Sequence, residues 1–176
     1  MPLEFAEYDP DWPDLASLAM AELTAALPGL FSAIEHVGST AVPGLAAKPI
    51  IDLMAASDGL DRVVARDGDL LELGYEFHDV GMPGRLFYRR GSEHAWTHHL
   101  HVVEASTFAT RNQRLLRDYL RSHPDDVARY AALKRRLAAL HDDGTDYTRA
   151  KTELIQELTA KARAERGLPP ARVWEE

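Results

Sequence analysis

The chain has 176 residues, 45% hydrophobic and 27% charged, with a net charge of −8 and no cysteine. That is one domain's worth of globular sequence, and its acidity argues against generic nucleic-acid binding through a basic surface. The absence of cysteine excludes disulfides, thiolate metal sites and a cysteine nucleophile.

The opening MPLEFAEYDPDWPDL mixes acids with prolines and does not resemble a secretory leader. No apolar run approaches the ~20 residues that cross a bilayer, so no membrane partner and a cytoplasmic location are expected. Asp14 to Leu27 reads as a helix, with Pro13 near its start and Pro28-Gly29 stopping it. Leu30 to Val37 reads as a strand and Gly38 to Lys48 as a loop, with a short helical turn after Pro43. Pro49 to Ala56 is a near-continuous apolar run, the pattern of a strand buried on both faces. Asp58 to Leu73 reads as a helix ended by Gly74. Tyr75 to Val80, Arg85 to Arg90 and Ala95 to Glu104 read as strands punctuated by Gly81-Met82-Pro83-Gly84 and Gly91-Ser92. Three helices follow: Ser106, as cap, to about Ser122; Pro124 to about Asp142; and Thr145 or Asp146 to about Arg166. The expectation is an α/β or α+β domain over 1–176, with a mixed sheet in 1–105 and a helical region in 106–176.

Two features stand out. Gly38-Ser39-Thr40 ends a strand with hydroxyls and a glycine that lets backbone approach a ligand, an arrangement that suits phosphate. Asp52 is a single acid inside Ile50-Ile51-Asp52-Leu53-Met54, where burial of a charge is costly without a partner. Strand alternation puts Lys48, Ile50, Asp52 and Met54 on one face. Asp52 is either a buried carboxylate paired to an arginine or to backbone amides, or a ligand for Mg²⁺ bridging to substrate phosphates.

The stretch HVGSTAVPGLAAKPIIDLM resembles the signature of GrpB-like proteins, of the nucleotidyltransferase fold superfamily. Val37-Gly38-Ser39 matches the first half of the superfamily pattern and Asp52-Leu53 the start of the second, with 12 residues between Ser39 and Asp52. His99-Leu100-His101-Val102, Arg117-Asp118-Tyr119-Leu120-Arg121, His123-Pro124, Tyr130, Leu133-Lys134, and Tyr147 with Lys151 extend the resemblance over most of the chain. It implies a short mixed sheet flanked by helices. In active nucleotidyltransferases a second acid stands two residues after the first; here that position is Met54, which offers no oxygen to Mg²⁺ or Mn²⁺.

His99 and His101 share one strand face and could chelate a metal, hold phosphate or a nucleobase, or be one core and one solvent-facing histidine. On the first late helix Arg111, Arg114, Arg117 and Arg121 gather opposite Leu115, Leu116, Tyr119 and Leu120, either as a solvated face or, for Arg114 and Arg117, as forks for phosphate. Arg85, Arg89 and Arg90 are read mainly as a solvated edge. Tyr130, Leu133, Leu137 and Leu140 form an apolar stripe. Lys151 shares a side with Tyr147, Ile155 and Leu158, and either snorkels or turns toward a phosphate or Asp52.

Three functions follow. The first is a nucleotidyltransferase-like protein binding a nucleotide or other phosphate ligand, with catalytic Asp52 and Lys151. Gly38, Ser39, Thr40, Lys48, Arg114 and Arg117 would hold the phosphate, and a divalent metal (Mg²⁺, alternatively Mn²⁺ or Zn²⁺) would sit at Asp52. The second is a non-catalytic nucleotide or coenzyme module of the same fold. The third is a transition-metal hydrolase using His36, Asp52, His99 and His101.

Overall fold

The computed structural model describes residues 5–92, 94–139 and 145–173, with backbone alone for 145–148 and 150. Helix α1 (Trp12–Ala26) has proline in its first turn and buries Trp12, Ala16, Ala19 and Leu23, one stripe at helical spacing. Strands β1 (Ala33–Val37) and β2 (Ile51–Ser57) pair antiparallel, with Val37 opposite Asp52. Between them the helical turn lies before Pro43, not after it: Ser39–Ala41 form a 3₁₀ turn. Lys48 and Ile50 therefore precede β2, and Lys48 belongs to the loop and not to the Asp52 strand face.

The helix expected over Asp58 to Leu73 is two, α2 (Leu60–Val64) and α3 (Asp67–Glu72). The break falls at Arg66, beyond which the Asp67 carboxylate accepts a bond from the Tyr88 hydroxyl at 2.6 Å. Strands β3 (Tyr75–Phe77), β4 (Arg85–Ser92) and β5 (Ala95–Glu104) complete a sheet of order β1-β2-β5-β4-β3. Among the described strands only β2 and β5 run parallel, so the sheet is mixed, and Asp52 lies beside His99 and Met54 beside His101.

The helix expected from Ser106 is also two, α4 (Ala105–Phe108) and α5 (Asn112–Ser122). Arg111 is extended between them, and Glu104 and Arg111, not Ser106, hold the N-cap positions. The break lets Phe108 drop onto the sheet while Leu115 and Tyr119 enter a separate helical core. Helices α6 (Pro124–Ala139) and α7 (Thr145–Glu165) complete that core. The expected helix end near Asp142, Leu140 and the side chain of Tyr147 lie outside the described residues.

The two sheet faces differ. Leu53, Ala55, Leu100, Val102 and Tyr88 pack under α1 in the larger core. On the opposite face Val37, Met54, Ala56 and Val103 are closed over by Phe108. At the other end of that same face, where β1 finishes and β2 starts, stand Asp52 and His99, half-buried among polar groups. The helices α5 to α7 stand against this end, and a cleft is left between.

Candidate functional site

Gly38 adopts φ +75, and a Cβ there would lie 2.5 Å from Asp52 Oδ2. Glycine is thus required twice, by its backbone conformation and by the close approach of the carboxylate. This contact presses the turn against the strand, so the two features singled out in the sequence lie side by side.

The Asp52 side chain is 27% exposed. Its Oδ1 lies 3.2 Å from His99 Nδ1 and 3.8 Å from His101 Nε2. Burial works to raise its pKa, but the His101 and His99 imidazoles outweigh that and hold it below the usual carboxylate range. The Arg85 guanidinium, which can only donate, is 3.2 Å from His101 Nδ1. His101 Nδ1 is therefore the acceptor, and Nε2–H points toward Asp52. Burial pushes the His101 pKa down. The Phe87 ring packs edge-on against His99 and lies tilted beside His101, centroids 5.0 and 4.9 Å away.

These contacts do not favour the transition-metal reading. A metal-bound histidine donates its second N–H to an acceptor, and at His101 that position faces Arg85. His36 pairs with Leu53 across β1 and β2, which turns it to the sheet face opposite Asp52. There its Nε2 donates to Thr40 Oγ1 at 2.8 Å, and the Thr40 hydroxyl donates on to the Ile50 carbonyl at 3.3 Å. Burial first, then Arg121, lowers the His36 pKa to about 4, so it is neutral. Among the described residues no three histidines and acids are placed to hold one ion. Asp52 stands as a single hard oxygen donor, a set that suits Mg²⁺ shared with phosphate and water and not a dedicated protein cage.

The arginines expected at the phosphate are paired with acids, and Arg117 also lines the cavity that holds Gly38, Ser39 and Asp52. Arg114 grips Glu35 with two bonds, Nε at 2.8 Å and Nη2 at 2.9 Å, and stacks over Phe108. Arg117, 8% exposed, donates to Glu35 at 2.7 Å and to the His36 carbonyl at 3.0 Å, and also pairs with Asp118. Arg111 is buried too, and Arg121 donates to the Ala41 carbonyl. The basic side of α5 is a clamp onto β1 and its turn, not a solvated face. Arg114, led by its bonds and opposed by burial, and Arg117 together lower the Glu35 pKa to about 2. Arg90 pairs with Glu22, and Arg89 lies over Phe87 and Trp96.

The cations in the wall of the hollow beside Asp52 and His99 are lysines. A hollow of about 170 Å³ has Ser39, Thr40, Asp52, His99 and three lysines, Lys48, Lys134 and Lys151, in its wall. Thr40 contributes to that wall while its hydroxyl is spent on His36 and Ile50. Lys48 reaches in from the exposed loop before β2. Lys151 is half-buried on α7, its pKa lowered by burial and then by Lys48. Lys134, 7% exposed, donates to Ser39 Oγ and sits 4.3 Å over the Tyr130 ring. Burial, with repulsion from Lys151, pushes its pKa down to about 7.

Lys134 is the site residue that sequence reasoning missed. The stripe on α6 is Tyr130, Ala131, Lys134 and Leu137, not one through Leu133. A charged residue at a helical position otherwise apolar was the available signal.

The chain is similar to other proteins. The chain is 44% identical over 172 residues to a UPF0157 protein of Pseudomonas aeruginosa, covering 92% of this chain and 68% of that one. It is 34% identical over 166 residues to the UPF0157 protein YqkA of Bacillus subtilis, spanning 93% of this chain and about half, 48%, of that relative. The crystal structure of conserved protein GrpB from Enterococcus faecalis superposes with a TM-score of 0.84 at 31% identity, over 93% of this chain and 99% of that one. The Cid1 poly(U) polymerase with Mg 3′-dATP bound matches at TM-score 0.51 and 15% identity, over 77% of this chain and 44% of that one. The GLD-2/RNP-8 complex matches at 0.53 and 14%, over 90% and 61%. At such identities the last two speak to the fold, which is that of the nucleotidyltransferases. The GrpB protein family matches residues 2–161, taking in the Gly38-Ser39 turn, the Asp52 strand and the helices that carry the lysines, and this chain is a member of that family.

Proposed function

We propose that the cleft binds a phosphorylated small molecule, a nucleotide or another phosphate ester, against Ser39, Lys48, Lys134 and Lys151. One divalent metal, Mg²⁺, would be held by Asp52 and the phosphate together. The observation that carries this reading is the lysine cluster. Three ammonium groups gather around a single carboxylate, and the deepest of them is held down to about 7 by burial and by its neighbour. A phosphate dianion would relieve both penalties, which the single Asp52 carboxylate in that wall offsets only in part.

Each residue then has a task. Ser39 and Lys134 bind non-bridging oxygens, and Gly38 keeps the turn against Asp52. Lys151 and Lys48 offset charge that builds on the phosphate, the main demand of phosphoryl transfer. The metal would supply further charge neutralisation and alignment of the phosphate. Met54 fills the second acid's place inside an apolar cluster with Val37 and Val103. That favours binding with one metal, or binding without turnover, over two-metal chemistry.

Thermal denaturation with nucleotides and simpler phosphates, with and without Mg²⁺, tests this. A ligand at a hundred times its Kd adds about 2.7 kcal/mol to stability. Asp52→Asn is expected to remove the Mg²⁺-dependent part of the shift and Lys134→Met most of the whole. An Asn variant that responds to Mg²⁺ like the parent would leave Asp52 only its contacts with His99 and His101.

A further inference from the structure

Behind the lysine hollow lies a second cavity of about 210 Å³, and Ser39, Asp52 and Lys151 stand in the walls of both. A ligand seated on Ser39 therefore has somewhere to send its other end. The second cavity is walled largely by Val42, Leu116, Leu120, Ile155 and Val173 together with Tyr130, contributed by the turn, α5, α6, α7 and the segment after α7.

Beyond Ser39, Asp52 and Lys151, its side chains Arg117, Asn112 and Gln113 each hold a partner, and one buried polar group is an exception. Arg117 is held by Glu35 and Asp118, Asn112 by Arg163 and the Arg172 carbonyl, and the Gln113 carbonyl oxygen by Arg85. The exception is Thr159, also in this wall, 0% exposed, whose hydroxyl has no hydrogen-bond partner among the described residues. A threonine inside a helix ordinarily returns its hydroxyl to a carbonyl of the preceding turn, and Thr159 does not. Buried hydroxyls without partners are uncommon enough to need a reason.

Building on the phosphate reading above, we infer that the ligand is a phosphate ester of a compact, mostly hydrocarbon alcohol with one hydrogen-bonding atom at its far end. The phosphate rests on Ser39 and the lysines, the hydrocarbon fills the aliphatic cavity, and the terminal polar atom meets the Thr159 hydroxyl. A nucleobase fits this cavity poorly. Its several polar edge atoms would be set largely against Val42, Leu120 and Ile155, where Thr159 offers one hydroxyl.

Isothermal titration of the full chain with inorganic phosphate, butyl phosphate, hexyl phosphate, their ω-hydroxy analogues and AMP tests the inference. Each methylene buried is worth about 0.8 kcal/mol, or about a fourfold gain in affinity. The alkyl esters should accordingly bind progressively tighter than phosphate until the cavity is full, and an ω-hydroxy ester should exceed its alkyl parent. Thr159→Val, which keeps the shape, should invert that last preference. Leu116→Trp, which fills the cavity, should abolish the alkyl gain while leaving inorganic phosphate binding intact, so that retained binding reports a folded protein. Alkyl esters no tighter than phosphate overturn the inference but not the phosphate site. So does AMP binding tighter than every ester with Thr159→Val indifferent to it. Phosphate binding that is absent, or unchanged in Lys134→Met, overturns both.

Discussion

Lys134 makes a stability prediction that needs no ligand. Its ammonium is 7% exposed, and burial and Lys151 hold its pKa at about 7 against an ordinary 10.5. In the unfolded chain the same lysine keeps its proton until pH is near its ordinary value. Between those two values the unfolded state binds more protons than the folded one, so stability rises with pH across that window. At 1.36 kcal/mol per pH unit, the rise between pH 7 and pH 9.5 is roughly 3 kcal/mol. The window closes above pH ~10, because burial raises the Tyr75 and Tyr88 pKa values and favours the folded state less once free tyrosine ionises. Urea unfolding at pH 7, 8, 9 and 9.5, in wild type and Lys134→Met, measures this. The wild type should gain stability over the series, and Lys134→Met should lose most of the slope, with a remainder from Lys151, whose pKa is also lowered. Added phosphate at pH 7 should raise the wild-type midpoint and hardly move the variant's. A flat wild-type profile, or identical slopes in the two proteins, would show that the lysine is not desolvated as argued, and the case for an anion at Ser39 would weaken with it.

Further outcomes are expected elsewhere. Glu35→Ala strands the Arg117 and Arg114 guanidinium groups without their partner and should cost about 3 kcal/mol in urea unfolding; a loss under about 1 kcal/mol would mean that the clamp does not hold α5 to β1. His36 is neutral when folded, with a pKa of about 4, so stability should fall as pH drops from 6.5 toward 4, by up to about 3 kcal/mol. His36→Gln, which keeps a donor for Thr40, should flatten that limb, and an unchanged acid limb would count against the burial argument. Gly38→Ala forces a Cβ onto Asp52 Oδ2 at a positive φ and should lower stability by about 2 kcal/mol. It should also abolish the Mg²⁺-dependent ligand shift, while Gly44→Ala, with nothing near its Cβ, should leave that shift intact.

The sequence by itself determined the local pieces and their order. Alternation placed Leu100 and Val102 on one face of β5 and His99, His101 and Val103 on the other, and each went where its polarity sends it. The family was legible too, because Gly38 and Asp52 are constrained by their close contact at a positive φ. Tertiary structure decided which charges were available. An arginine stripe on α5 has the same pattern whether it faces water or a strand, and only the position of Glu35 on β1 turned it into a clamp that occupies Arg114 and Arg117. His36 and Asp52 are separated by the thickness of a sheet, a fact fixed by the pairing of His36 with Leu53 and not by either residue's neighbours in the chain. Lys134 joined Ser39 because α6 packs across the turn. Long-range packing assigns partners to charges, and the energy of a charge depends on its partners far more than on its place in the sequence.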